Sequence, residues 1–209
     1  MRFLLPTLGI AAAATALSPA TTSSSKGFYL IAHVTDPSRD FSPSIEGWAL
    51  TAIHTGAGLN AAVLASASAG RLFYENGTAA QVAATQSTIL TDAGTPPFPM
   101  GLYVQGEGEP PKILEINVGA GTPNTIVGRE ADVLVNGLDA NGLGRGTYMA
   151  CNATVPYYGV EYITLQYAYG KVSDGCAPIE LRPRCATLND LPADSLSSHE
   201  FAVVVPCYE

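Results

Sequence analysis

The chain has 209 residues, of which 47% are hydrophobic and only 13% charged, a balance that can bury a core and excludes wholesale disorder. Its formal net charge is −8 and its only lysines are Lys26, Lys112 and Lys171. Nothing clusters to neutralise phosphates, so nucleic acid is not an expected partner.

Taken in chain order, Arg2 is a short basic region, Phe3 to Leu17 is apolar, and Ala14-x-Ala16 or Ser18-x-Ala20 is a small-residue cleavage site. This is the plan of a secretory signal peptide over residues 1–20. The run is too short for a spanning helix and is broken by Pro6 and Gly9, and no later stretch is apolar enough to span. The end FAVVVPCYE lacks the hydrophobic tail of a C-terminal lipid anchor. The expected location is therefore secreted, extracellular or wall-associated. Residues 21–26 read as a flexible Ser/Thr leader, and residues 27–209 as a single domain, of ordinary size for one core.

Strands are expected from Phe28 onward. Phe28, Leu30, Ala32 and Val34 form a core face, with Tyr29, Ile31, His33 and Thr35 on the other. Trp48 to His54 and Asn60 to Ala65 flank a turn at Gly56-Ala57-Gly58, and Arg71 to Glu75 ends at the turn signal Asn76-Gly77. Thr78 to Gln86 reads as a short helix or an irregular connection. Ser87 to Thr91 and Met100 to Gln105 flank the loop TPPFPM, and GEGEPP follows. Lys112 to Val118, Ala131 to Val135, Gly146 to Cys151, Val160 to Tyr169, Pro178 to Cys185 and Glu200 to Cys207 complete about eleven or twelve short strands with turn residues between them. The fold class is all-β: an antiparallel sandwich or barrel.

Cys151, Cys176, Cys185 and Cys207 stand 25, 9 and 22 residues apart. An even number behind a signal peptide predicts two disulfides in the C-terminal part, and none of the spacings is that of a zinc or redox pair, so no metal is expected. Three connectivities are open. Strand parity gives a faint preference, because Cys185 shares a face with Ile179 and Leu181, and Cys207 with Phe201, Val203 and Val205. That favours Cys185–Cys207, which leaves Cys151–Cys176.

Asn76-Gly77-Thr78 and Asn152-Ala153-Thr154 are N-glycosylation sequons, meaningful on accessible segments of a secreted chain. The stretch from Gly56 to Ala61 spells G-x-G-x-x-A. A dinucleotide site would need a helix after it; a glycine-permitted turn between strands explains it equally, and no cofactor is expected. His33, His54 and His199 stand alone. No nucleophile elbow or zinc-protease motif occurs. Glu115, Glu161 and Glu180 lie within expected strands, opposite apolar neighbours, as solvent-facing glutamates would; a glycosidase would need two such carboxyls across a cleft. Tyr157-Tyr158, Tyr29, Tyr162 and Trp48 could offer rings to a sugar, whereas Ile163, Leu165, Tyr167 and Tyr169 share what reads as a core face.

The segments FYLIAHVTDPS, GWALTAIHTGAGLNAAVL, RLFYENGT and GCAPIELRPRCATLNDLPADSLSSHEFAVVVPCYE resemble a family of small secreted proteins of filamentous ascomycete fungi, a domain of unknown function. The resemblance runs from about Gly27 to Glu209 and rests on H-T-G-A-G-x-N, F-Y-x-N-G-T and the C-terminal cysteine pattern. It implies secretion and supplies no catalytic residues. F-Y-x-N-G-T is also loosely similar to β-rich fungal wall proteins. The expected function is a non-enzymatic extracellular β-domain at the cell surface, wall or host interface, with wall polysaccharide or an extracellular protein as partner. The alternative is a polysaccharide hydrolase using strand carboxylates. A secreted inhibitor or effector would instead present TPPFPM or GEGEPP as a protruding loop.

Overall fold

The computed structural model describes residues 22–104, 106, 110–123, 125–127, 134–136 and 146–209. The expected signal peptide, positions 107–109 of GEGEPP and the first part of the strand expected from Ala131 lie outside them. The described strands are β1 (Thr22–Ser25), β2 (Gly27–Val34), β3 (Ala49–Gly56), β4 (Leu59–Ala65), β5 (Leu72–Asn76), β6 (Thr88–Ala93), β7 (Phe98–Tyr103), β8 (Glu115–Val118), β9 (Thr125–Val127), β10 (Leu134–Asn136), β11 (Thr147–Val155), β12 (Val160–Ala168), β13 (Cys176–Ala186), β14 (Ala202–Val203) and β15 (Val205–Tyr208). That is more than expected, because the C-terminal stretch splits in two and short strands add to the count. The only α-helix among the described residues is α1 (Ala79–Ala83). Its start is set by a capping box: Gln81 N–H donates to the Thr78 hydroxyl, and the Thr78 N–H donates to the Gln81 side chain.

The antiparallel ladders run β13–β11–β12–β4–β8–β7–β6–β5–β2 and return to β13, closing a nine-stranded barrel with further strands attached. Closure is achieved by sharing edges. β4 holds β3 along one edge; on the other, Val63 pairs with Thr164 of β12 and Ala61 with Glu115 of β8. Leu114 sits in the fork between them, donating to Leu165 O and accepting from Ala62 N. β2 likewise carries β13 on one edge, with β5 and β3 sharing the other. A closed ring leaves few unpaired edges. Inside it pack Phe28, Leu30, Phe73, Leu102, Leu165 and Leu181, each completely buried.

The strand-parity readings hold for Leu165 and Tyr167, which are buried, with Ile163 and Tyr169 packed against the core. Two fail. Ile31, assigned to the outer face of β2, is only 6% exposed, at the point where β3 joins β2 through the pair Ile31↔Ala49. Phe201, assigned to the core with Val203, Val205 and Cys207, is 46% exposed. The chain is still turning there, with Ala202 N–H bonded to His199 O, so the strand parity begins one residue later.

Residues 22–25, expected as part of a flexible leader, form β1 instead, paired residue for residue with β15 from Thr22↔Tyr208 to Ser25↔Val205. A Ser/Thr run suits an edge strand because half its side chains face water. The disulfides are Cys151–Cys176 and Cys185–Cys207. The first joins register partners of β11 and β13 at a Cα separation of 4.4 Å. The second ties β13 to β15 beside the Arg184↔Tyr208 bridge.

Candidate functional site

The glycine-rich turn lies between β3 and β4, with Gly58 at φ +72°. A strand follows it, not a helix, so its N–H groups have no pyrophosphate-facing helix N-terminus to join. Beside it the β11–β12 hairpin turns through Pro156 to Gly159 and lifts two tyrosines into solvent: Tyr157 is 60% and Tyr158 45% exposed. Their rings continue a chain of edge-to-face contacts, with centroid separations of 5.9 Å from His54 to Tyr157, 5.1 Å from Tyr157 to Tyr158 and 6.5 Å from Tyr158 to Tyr162. Leu59, Val118 and Val160 are also exposed large apolar residues. Leu59 and Val118 flank the same turn, where Val118 N–H donates to Gly58 O, and Val160 opens β12 beyond the tyrosine pair.

The tyrosine shelf borders a groove of about 680 Å³ lined by Thr55, Asn60, Lys112, Ile113, Glu115 and Tyr157. Its polar floor is fixed by β4 and β8. Asn117 Nδ2 donates to Glu115 Oε2 at 2.8 Å, its Oδ1 accepts from Asn60 N at 2.8 Å, and Asn60 Nδ2 donates to Ile116 O at 2.8 Å. Such a site offers ring faces, an amide, a hydroxyl, and one carboxylate balanced by the Lys112 ammonium. That suits a neutral, hydroxyl-rich ligand better than an anion.

Of the three strand glutamates, Glu115 alone lines this groove. Glu161 accepts from Asn152 Nδ2 at 3.1 Å on the β11–β12 hairpin, and Glu180 is paired with Arg182 at 2.8 Å on β13. His33 faces Glu46 at 3.0 Å. Tyr29 lies under the Arg184 guanidinium, and Trp48 packs against the core. TPPFPM does not protrude: Phe98 to Met100 belong to β7, and Leu196 N–H donates to Pro97 O at 2.8 Å. The sequon residue Asn152 is exposed on β11, whereas Asn76 is half-buried at the end of β5.

A second polar cluster was invisible in the sequence because its members lie far apart in it. His199 Nε2 donates to Asp92 Oδ2 at 2.7 Å and the Tyr74 hydroxyl to Asp92 Oδ1 at 3.2 Å, with the Tyr74 and His199 rings 4.7 Å apart. Burial, reinforced by the Asp92 charge, pushes the Tyr74 phenol far above its ordinary pKa. Among the described residues no group of three His, Cys, Asp or Glu side chains could hold a metal ion, and no helix is long and apolar enough to cross a membrane.

A family model described as Domain of unknown function (DUF7907) matches residues 25–185. The chain is similar to antigenic protein SchS34 of Stachybotrys chartarum, with 38% identity over 200 residues covering 90% of this chain and 87% of that protein. No solved structure matches.

Proposed function

The chain belongs to the DUF7907 family, and from that premise we propose that it is an extracellular, non-enzymatic binding domain that holds a neutral wall polysaccharide along the groove beside Tyr157 and Tyr158. The observation that carries this reading is the exposed edge-to-face pair of tyrosines bordering a groove with a single carboxylate in its lining. Exposed rings next to a polar floor suit the apolar face and hydroxyl edge of a sugar. Hydrolysis by paired carboxyls would need a second acid facing Glu115. An extracellular location is supported by the apolar N-terminal run, by two disulfides and by the kinship with a protein named antigenic.

The test is titration of the full chain with soluble fungal and plant wall glycans, with released sugar assayed in parallel. Tyr157→Ala and Tyr158→Ala should each weaken binding about tenfold while the circular dichroism spectrum is unchanged, and no sugar should be released. Turnover abolished by Glu115→Gln in a folded variant would establish a hydrolase instead.

Glycosylation belongs to the same reading. Asn152 is the better placed acceptor, since it is exposed while Asn76 is half-buried. Protein secreted by a fungal host should lose mass on treatment with an N-glycosidase, and Asn152→Gln should remove most of that loss. Full retention of the loss in Asn152→Gln would assign it to Asn76.

A further inference from the structure

On another part of the barrel, a cleft of about 210 Å³ is lined by Arg71, Thr91, Asp92, Gly94, Pro97 and Asn189. It has room for about seven liquid waters, the scale of one sugar ring or a short organic acid. Arg71 is half-buried just before β5. Its side chain makes one polar contact among the described residues, a long one of 3.9 Å from Nη1 to the sulfur of Met100. No carboxylate among the described residues lies at ion-pair distance from it.

The nearest candidate is committed elsewhere. Asp92 gives one oxygen to Tyr74 and the other to His199. Its charge still acts on Arg71 at longer range: burial lowers the guanidinium's pKa and Asp92 opposes that. A guanidinium drawn out of water with its fork of donors open is costly unless an acceptor meets it.

We infer that this cleft is a binding site for a small organic acid, with the Arg71 fork holding its carboxylate. A planar carboxylate matches the two parallel N–H directions of a guanidinium. A single negative charge is also the most that suits a cleft walled by Asp92, so a dianion such as sulfate is disfavoured. The inference does not depend on the tyrosine groove, which shares none of these lining residues.

The experiment is calorimetric titration of the full chain with galacturonate, lactate, glucose and sulfate. Saturable binding of either acid, with none of glucose, is expected; tighter galacturonate marks the ligand as a sugar acid, and tighter lactate as a smaller hydroxy acid. Arg71→Gln should weaken acid binding about thirtyfold or more and Arg71→Lys, which keeps charge but loses the fork, about tenfold. Arg71→Lys decides the matter if Arg71→Gln does not fold. Tyr157→Ala should leave acid binding unchanged. Failure of both acids to saturate, equal binding of glucose or sulfate, or affinity untouched by Arg71→Gln and Arg71→Lys would each overturn the assignment.

Discussion

A variant with Cys151→Ala, Cys176→Ala, Cys185→Ala and Cys207→Ala should lose about 7 kcal/mol of stability, since loop closure over 25 and 22 residues contributes about 3.5 kcal/mol for each bridge. That is comparable to the whole stability of an ordinary domain, about 5–15 kcal/mol, so this variant should be largely unfolded at 25 °C. The two bridges should not fail alike. Without Cys185–Cys207, β15 meets β13 at a single bridge, and β1 is paired only to β15, so that ribbon should exchange its amide protons first. Without Cys151–Cys176, β11 still keeps its ladder to β12, from Thr147↔Ala168 to Val155↔Val160. The loss should then appear in global unfolding. Urea denaturation of the three variants, with hydrogen exchange on the two single-bridge ones, checks this. A four-alanine variant within about 1 kcal/mol of the parent, inside the range of an ordinary point substitution, would contradict it. The parent, denatured without reductant, should show no free thiol.

The second large effect is expected at Gly101→Ala. A Cβ at this position on β7 would stand 2.1 Å from the backbone nitrogen and 2.3 Å from the Cα of Gly121, and 2.5 Å from the carbonyl carbon of Ala120. Those are backbone atoms, so no side-chain rotation relieves the overlap. The segment after β8 would have to lift off β7. That movement strains the bonds from Thr122 N to Leu102 O at 2.9 Å and from Val104 N to Thr122 Oγ1 at 2.8 Å. We expect a loss of about 3 kcal/mol, together with weaker glycan binding, because β8 carries Glu115 into the groove. Gly106→Ala, where an added methyl group meets nothing within 4 Å among the described residues, is the control and should stay within about 0.5 kcal/mol. Equal stability of the two variants in urea would show that the close approach at Gly101 relaxes freely.

The candidate groove was half legible. Tyr157-Tyr158 stood among the rings that could face a sugar, beside Tyr29, Tyr162 and Trp48, and Glu115 among the strand glutamates expected to face solvent. What could not be read was that Glu115 lies beside those tyrosines while Glu161 and Glu180 do not. That grouping depends on β8 pairing with β4 at Ala61↔Glu115, a contact between residues far apart in the chain. The Asp92–His199 contact spans 107 residues and is equally silent in the sequence. Arg71 stands out only once Asp92 is seen to be occupied by Tyr74 and His199.

By itself the sequence determined what local physics controls. Period-two alternation made the chain all-β, glycines and prolines punctuated it, and cysteine parity already favoured the pairing of Cys185 with Cys207. Alternation tells a side chain which face it takes, but not which strand lies beside it. Only tertiary structure therefore decided that the sheet closes as a barrel rather than a sandwich, because closure depends on β2 and β4 each sharing an edge between two partners. It also decided that the serine run at Thr22–Ser25 is a strand, since an edge strand exists only where a neighbour, here β15, supplies the other half of its ladder.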